Sequence, residues 1–146
     1  MLDALKRLFS GRQDAPSGEM DPEVATAALL VEVALVDGVY ANLESDQIAE
    51  ILLDSLDMDA DRVDDVLQQG EDLAENAIGA HQFTKYVKKL PLLKRVKVIE
   101  GLYMVSMADG DACKFEDAFI RHVASLLHVD DIRRAQARRR AESRHI

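Results

Sequence analysis

Between residues 24 and 36 the chain reads VATAALLVEVALV, apolar on nearly every side of a helix apart from Thr26 and Glu32. A helix without a polar face belongs inside a protein, so this segment is expected to be the central element. Its start is signalled by Asp21 as N-cap, Pro22 in the first turn and Glu23 near the positive dipole end. Asp37-Gly38 supplies the stop, because glycine takes the left-handed conformation that closes a helix. LESDQIAEILLDSL follows with Leu43, Ile48, Ile51, Leu52 and Leu56 at helical spacing, and Asp59 is placed to cap a third segment, ADRVDDVLQQGEDLAENA. Gly70 in the middle of that segment argues against its continuity. HQFTKYVKKL puts Phe83, Tyr86, Val87 and Leu90 on one face. Pro91 then opens LLKRVKVIEGLYMVSMA, a second long buried helix ending at Asp109-Gly110, and FEDAFIRHVASLLH and DDIRRAQARRRAE complete the chain. No stretch alternates with period two between hairpin turns. The pattern predicts an all-α fold, a compact bundle of about seven to eight helices.

The stretch VDGVYANLE at 36 to 44 returns as ADGDACKFE at 108 to 116. At that offset of 72 residues Val33 pairs with Val105, Gly38 with Gly110, Leu43 with Phe115, Glu44 with Glu116 and Ile48 with Ile120. Two copies are too few for a solenoid and suit a bundle with an internal pseudo-twofold repeat, which would bring the two turns into related positions. Residues 1–21 stand apart from the helical domain at 22–146. Leu2, Leu5, Leu8 and Phe9, with Lys6 and Arg7 between them, make a short amphipathic helix, and SGRQDAPSGEMDPE has the composition of a linker. Residues 2–9 read as a helix docked on the domain, with contact to a membrane surface as the alternative.

The repeated turn carries the candidate chemistry. Asp37, Glu44, Asp109 and Glu116 are hard oxygen donors, and four of them gathered around one divalent cation would suit calcium, magnesium or manganese better than zinc. The same residues also suit a purely structural part, since an Asp between helices accepts backbone N–H bonds and a Glu in a first turn complements the dipole. Glu32, alone in its apolar helix, needs a partner. An ion pair with Arg95 or Lys97, or exposure on a narrow face, answers that need, and a fifth metal ligand is the sharper alternative.

Other constellations fail on spacing. Asp57, Asp59 and Asp61 open like a calcium loop, but Arg62 stands where the turn needs glycine and Gln68 where a bidentate glutamate belongs. The one Glu-x-x-His, Glu142 to His145, has no second copy for a di-iron site. Cys113 sits beside Lys114 in the second turn, but its counterpart in the first is Ala41. No glycine-rich phosphate loop or nucleophile elbow is present, and the chain reads as a non-enzyme.

With 146 residues the chain makes one ordinary domain, and its single cysteine fits a reducing compartment. No run approaches the roughly 18 to 20 apolar residues of a spanning helix, and MLDALKRLFS lacks the h-region of a secretory signal, so a cytoplasmic location is expected. The net charge of −9 is uneven: RRAQARRRAESRH holds six arginines against one glutamate, and removing that +5 leaves −14 on the rest. Such a body repels nucleic acid and favours cations or basic partners. The arginine tail lacks interleaved aromatics for stacking on bases and reads as an exposed helix end.

ALLVEVALVDG with its spacing to Glu44, QFTKYVKKL, the run to YMVSMADG, and FEDAFIRHVASLLHV together resemble the TerB-like family of tellurite-resistance proteins. The resemblance covers about residues 22 to 140, and the duplicated DG turn with its trailing Glu is its specific part. It implies a compact, pseudosymmetric all-helical bacterial domain linked to tellurite resistance and stress responses. It also implies metal binding at Asp37, Glu44, Asp109 and Glu116. In this branch a glutamate often lies five residues before the DG aspartate in both halves; here Glu32 keeps it and Met104 replaces it. No catalytic group carries over. The expected function is that of a non-enzymatic module binding a divalent cation or a protein partner. The alternatives are an interaction adaptor, brought to the membrane surface by residues 2–9 with the carboxylates as caps, and a metal-dependent enzyme.

Overall fold

The computed structural model describes residues 20–35, 42–54, 56–76, 81–107 and 114–145, with the side chains of 42–44, 81, 114–116 and 145 outside that description. All regular structure among these residues is helical: α1 (Pro22–Leu35), α2 (Asn42–Asp54), α3 (Ala60–Glu75), α4 (His81–Val87), α5 (Leu92–Ser106), α6 (Lys114–Leu126) and α7 (Asp131–His145). The all-α reading holds. The amphipathic segment at 2–9, its linker as far as residue 19 and the two DG turns lie outside the described residues, while the linker's last residues, Pro22 and Glu23, are the first turn of α1.

α1 is the axis of the fold. Val24 to Val31, Val33 and Ala34 are all buried, so apolar surface on every side has been matched by neighbours on every side. α1 packs against α2, α3, α4, α5 and α6, most extensively against α3. At its start the Asp21 carboxylate accepts the Glu23 N–H at 2.9 Å, the cap expected there. Arg62 on α3 pairs with both Asp21 and Glu23, tying the two helix starts together.

α3 runs unbroken through Gly70, with Val63, Val66, Leu67, Gly70 and Ala74 forming one buried stripe. A β-carbon built on Gly70 would lie 2.7 Å from the Ala27 Cβ and 2.9 Å from the Ala27 carbonyl carbon. The glycine is there for close approach to α1, and the packing outweighs its poor helix propensity. Asp59 occupies the N-cap position of α3, but its side chain makes no capping bond; its carbonyl accepts from the Arg62 N–H instead.

α4 is shorter than its pattern. Helical hydrogen bonding gives way to tight turns at Lys89 and Leu90, because Pro91 disfavours the α conformation in the residue before it. Pro91 itself is extended (φ −58°, ψ 154°), and its carbonyl starts α5 by accepting from Lys94 and Arg95. α5 is the second buried helix, as expected. At Gly101 an added β-carbon would meet only the ends of side chains, Ile51 Cγ2 at 2.9 Å and Leu30 Cδ2 at 3.4 Å. Both can rotate aside while alanine gains about 1 kcal/mol of helix propensity. Gly101→Ala is therefore expected to stay within about 1 kcal/mol of the parent in urea denaturation.

α6 begins and ends 72 residues after α2, the offset seen in the sequence. Each is followed by a non-glycine residue in the left-handed region, Asp57 (φ 53°) and His128 (φ 58°). α7 is not an exposed end. Ala137 and Ala141 are fully buried against the core, and small side chains let this polar helix lie along α5, its chief neighbour. Asp130 caps it by accepting the Arg133 N–H at 2.8 Å, and that bond together with the Arg133 guanidinium holds the carboxyl below its ordinary range. Among the described residues no helix is long and apolar enough to cross a membrane.

Candidate functional site

Asp37 and Asp109 lie in the turns outside the described residues, while Glu44 and Glu116 are each the third residue of their helix, α2 and α6. The side chains of all four are therefore beyond description. Among the described residues no three His, Cys, Asp or Glu side chains gather as metal ligands would.

The flanks of the turns are nonetheless connected. One turn of helix beyond Glu44, the Gln47 amide donates to the Met104 carbonyl at 3.3 Å, and Met104 stands five residues before Asp109. On the other flank the Tyr103 hydroxyl meets the Asp117 carboxylate, next to Glu116, at 3.5 Å. The end of α5 thus touches the beginnings of both α2 and α6.

Glu32 is half-buried, and its Oε2 is shielded from solvent with no hydrogen-bond partner among the described residues. Burial raises its pKa above the ordinary 4.5, since desolvation penalises the charged form. The expected pairing with Arg95 or Lys97 is not made. Arg95 donates to the carbonyls of Leu90 (3.0 Å) and Leu127 (2.7 Å), and Lys97 lies 3.9 Å from Asp57.

A pocket of about 480 Å³ opens beside the Gln47–Met104 contact, lined by Glu50, Ile51, Asp54, Ala141 and Arg144. It offers carboxylates, an amide and a guanidinium, with no hydroxyl, thiol or imidazole among the residues that line it. That inventory can bind a ligand through charge and hydrogen bonds.

The strongest polar constellation was missed in the sequence. Glu100, 6% exposed, is clamped by two arginines from α7: Arg140 Nε reaches its Oε1 at 2.7 Å and Arg144 Nη1 its Oε2 at 2.9 Å. Arg134 donates to the buried Tyr103 hydroxyl at 3.1 Å, while Arg138 reaches Asp117 at 3.3 Å and stands over the Tyr103 ring. The arginine run is a fastening of α7 onto α5 and α6. A signal was available: Glu100 interrupts the apolar run VIEGLY much as Glu32 interrupts α1, and Arg140 and Arg144 share a helix face.

Residues 23–139 match the family model described as Tellurite resistance protein TerB. The chain belongs to the TerB family. No curated protein and no solved structure matches it. The TerB match takes in both DG turns, Glu32 and Glu100, and ends one residue before Arg140, so the two arginines of the clamp stand beyond it.

Proposed function

We infer that this TerB protein is a cytoplasmic binding module and not a catalyst, one whose paired acidic turns hold a divalent cation in a tellurite-resistance or stress setting. Asp37, Glu44, Asp109 and Glu116 would supply the ligands, and their hard oxygens favour calcium, magnesium or manganese over zinc. The observation that carries this reading is Glu32. A shielded carboxylate oxygen without a partner among the described residues lies five residues before Asp37, in a helix that offers it no compensating charge. A bound cation would supply positive charge next to a cluster of carboxylates. A second reading has its own support: Asp21 and Asp130 both cap helices in this fold, so the turn aspartates serve equally as caps in an interaction adaptor.

Thermal unfolding of chelator-stripped protein with added calcium, magnesium, manganese or zinc separates the two. At about one hundred times its dissociation constant a cation stabilises the native state by roughly 2.7 kcal/mol, a rise of several degrees, and the Asp37→Asn/Asp109→Asn double variant is expected to abolish it. Glu32 adds a crossing effect. Its folded pKa lies above the unfolded value, so native protein holds the proton more tightly, and stability present at acid pH is lost as pH rises through that range. Glu32→Gln is therefore expected to raise the neutral-pH midpoint of the metal-free protein and to shrink the gain from the cation. If no cation moves the midpoint and the double variant simply melts lower, the turns are helix junctions.

A further inference from the structure

On the other side of Arg144 from the α2 pocket lies a surface that carries the opposite charge to the molecule as a whole. Leu93, Val96, Lys97 and Glu100 follow one another at helical spacing along α5, and Arg140 and Arg144 stand one turn apart on α7. Between these two faces runs a groove of about 780 Å³. Its lining is cationic, with Lys94, Lys97, Arg140 and Arg144 against two carboxylates, Glu100 between the arginines and Asp57 at 3.9 Å from Lys97. Arg140 and Lys97 remain about half exposed, at 50% and 49%. Glu100 takes the Arg140 Nε and so fixes the guanidinium, leaving its outer N–H groups directed away from that bond. Pro91 and Val96 supply apolar lining, and Leu93 stands 78% exposed at the edge.

We propose that this groove is a docking site for an acidic segment of a partner protein, one that sets an apolar side chain against Leu93 and Val96 and carboxylates against Lys94, Lys97 and Arg140. Charge complementarity selects an acidic partner, and it does so on a protein whose net charge of −9 repels acidic molecules elsewhere. A concave site between two helices fits a protruding segment, whereas a bilayer presents a flat surface. A second copy of the chain complements the groove poorly. Apposing two such grooves sets lysines and arginines against each other. The acidic face of α3 brings Asp61, Asp64 and Asp65 but no exposed large apolar side chain, and Ile132, which with Leu93 is the exposed large apolar side chain among the described residues, follows Asp130 and Asp131, whose carboxylates are paired with Arg133 and Arg134. Residues 2–9 are basic overall, with Lys6 and Arg7 against Asp3.

Short random peptides displayed for selection against the full-length chain test this and leave the partner's sequence open at the outset. The selected peptides are expected to combine Asp or Glu with Leu, Ile or Phe, to weaken as salt rises, and to lose roughly tenfold or more in affinity for Leu93→Ser and for Lys94→Glu/Lys97→Glu. Leu93 is exposed enough that Leu93→Ser keeps the parental melting midpoint, whereas Lys94→Glu/Lys97→Glu gives up the Lys94 bond to the Leu56 carbonyl and sets a carboxylate beside Asp57, so its binding is read well below its own midpoint; Ile132→Ser, which alters an apolar side chain 72% exposed outside the groove, should bind as the parent does. Failure to enrich acidic peptides, or enriched peptides indifferent to Leu93→Ser, overturns the proposal. So does Leu93-dependent binding to phosphatidylserine vesicles with no peptide binding, which would make the groove a membrane contact. None of these outcomes depends on added cation, so the proposal stands or falls separately from the metal reading.

Discussion

Gly70→Ala is expected to destabilise the protein by about 2 to 3 kcal/mol, lowering the melting midpoint by roughly 5 to 10 °C, although alanine is the better helix former. The added methyl would lie 2.7 Å from the Ala27 Cβ and 2.9 Å from both the Ala27 carbonyl carbon and the Ala28 nitrogen. Two of those three atoms are backbone in the middle of α1, which cannot rotate out of the way. α1 and α3 would have to separate, and theirs is the most extensive helix pairing in the molecule. The roughly 1 kcal/mol gained in helix propensity is already included in the expected loss. Urea titration of Gly70→Ala beside Gly101→Ala makes the contrast, and equal stability of the two variants would show that the α1–α3 contact can relax at no cost.

Removing both guanidiniums that hold Glu100 is the other large effect. Arg140→Met/Arg144→Met leaves a carboxylate 6% exposed without either ion-pair partner, and breaking a buried pair from one side costs about 3 to 5 kcal/mol. A loss near 3 kcal/mol is expected here, because the arginines are themselves about half exposed and regain hydration that lowers the net cost of parting. Adding Glu100→Leu to the double variant should restore most of the stability, since no charge is then stranded. Chemical denaturation of the three proteins decides it. A double variant within about 1 kcal/mol of the parent would mean that α7 is held by Ala137 and Ala141 and that the clamp is incidental.

Patterning made the helices and the central place of α1 legible, because an all-round apolar helix has no other stable location. The 72-residue spacing carried through to the bounds of α2 and α6. Gly70 shows where local rules fail: propensity marks it as a weak point, while the close approach that requires a glycine depends on Ala27, over forty residues away. Asp59 shows a position read correctly and a bond that is not formed. The charges were the least legible. The arginines of α7 looked like a solvated end because their partners Glu100, Tyr103 and Asp117 lie on other helices. For Glu32 the reverse happened, since Arg95 and Lys97 on the other buried helix suggested a pairing, but they are engaged by backbone carbonyls and by Asp57. Composition tells how many charges must be satisfied, and tertiary packing decides by whom.

The central position of α1 also imposes an order on events during synthesis. α3 follows it within a short stretch of chain, but α5 and α6, which cover its remaining sides, begin 57 and 79 residues after Leu35. At translation rates of about 5 to 20 residues per second, Leu92 is joined roughly 3 to 11 s after α1 is complete. During that interval the most apolar segment of the protein has only α2, α3 and α4, as each is made, to shelter it. The period of greatest exposure of apolar surface in this molecule therefore falls on the ribosome, and its length is set by the connectivity of the chain.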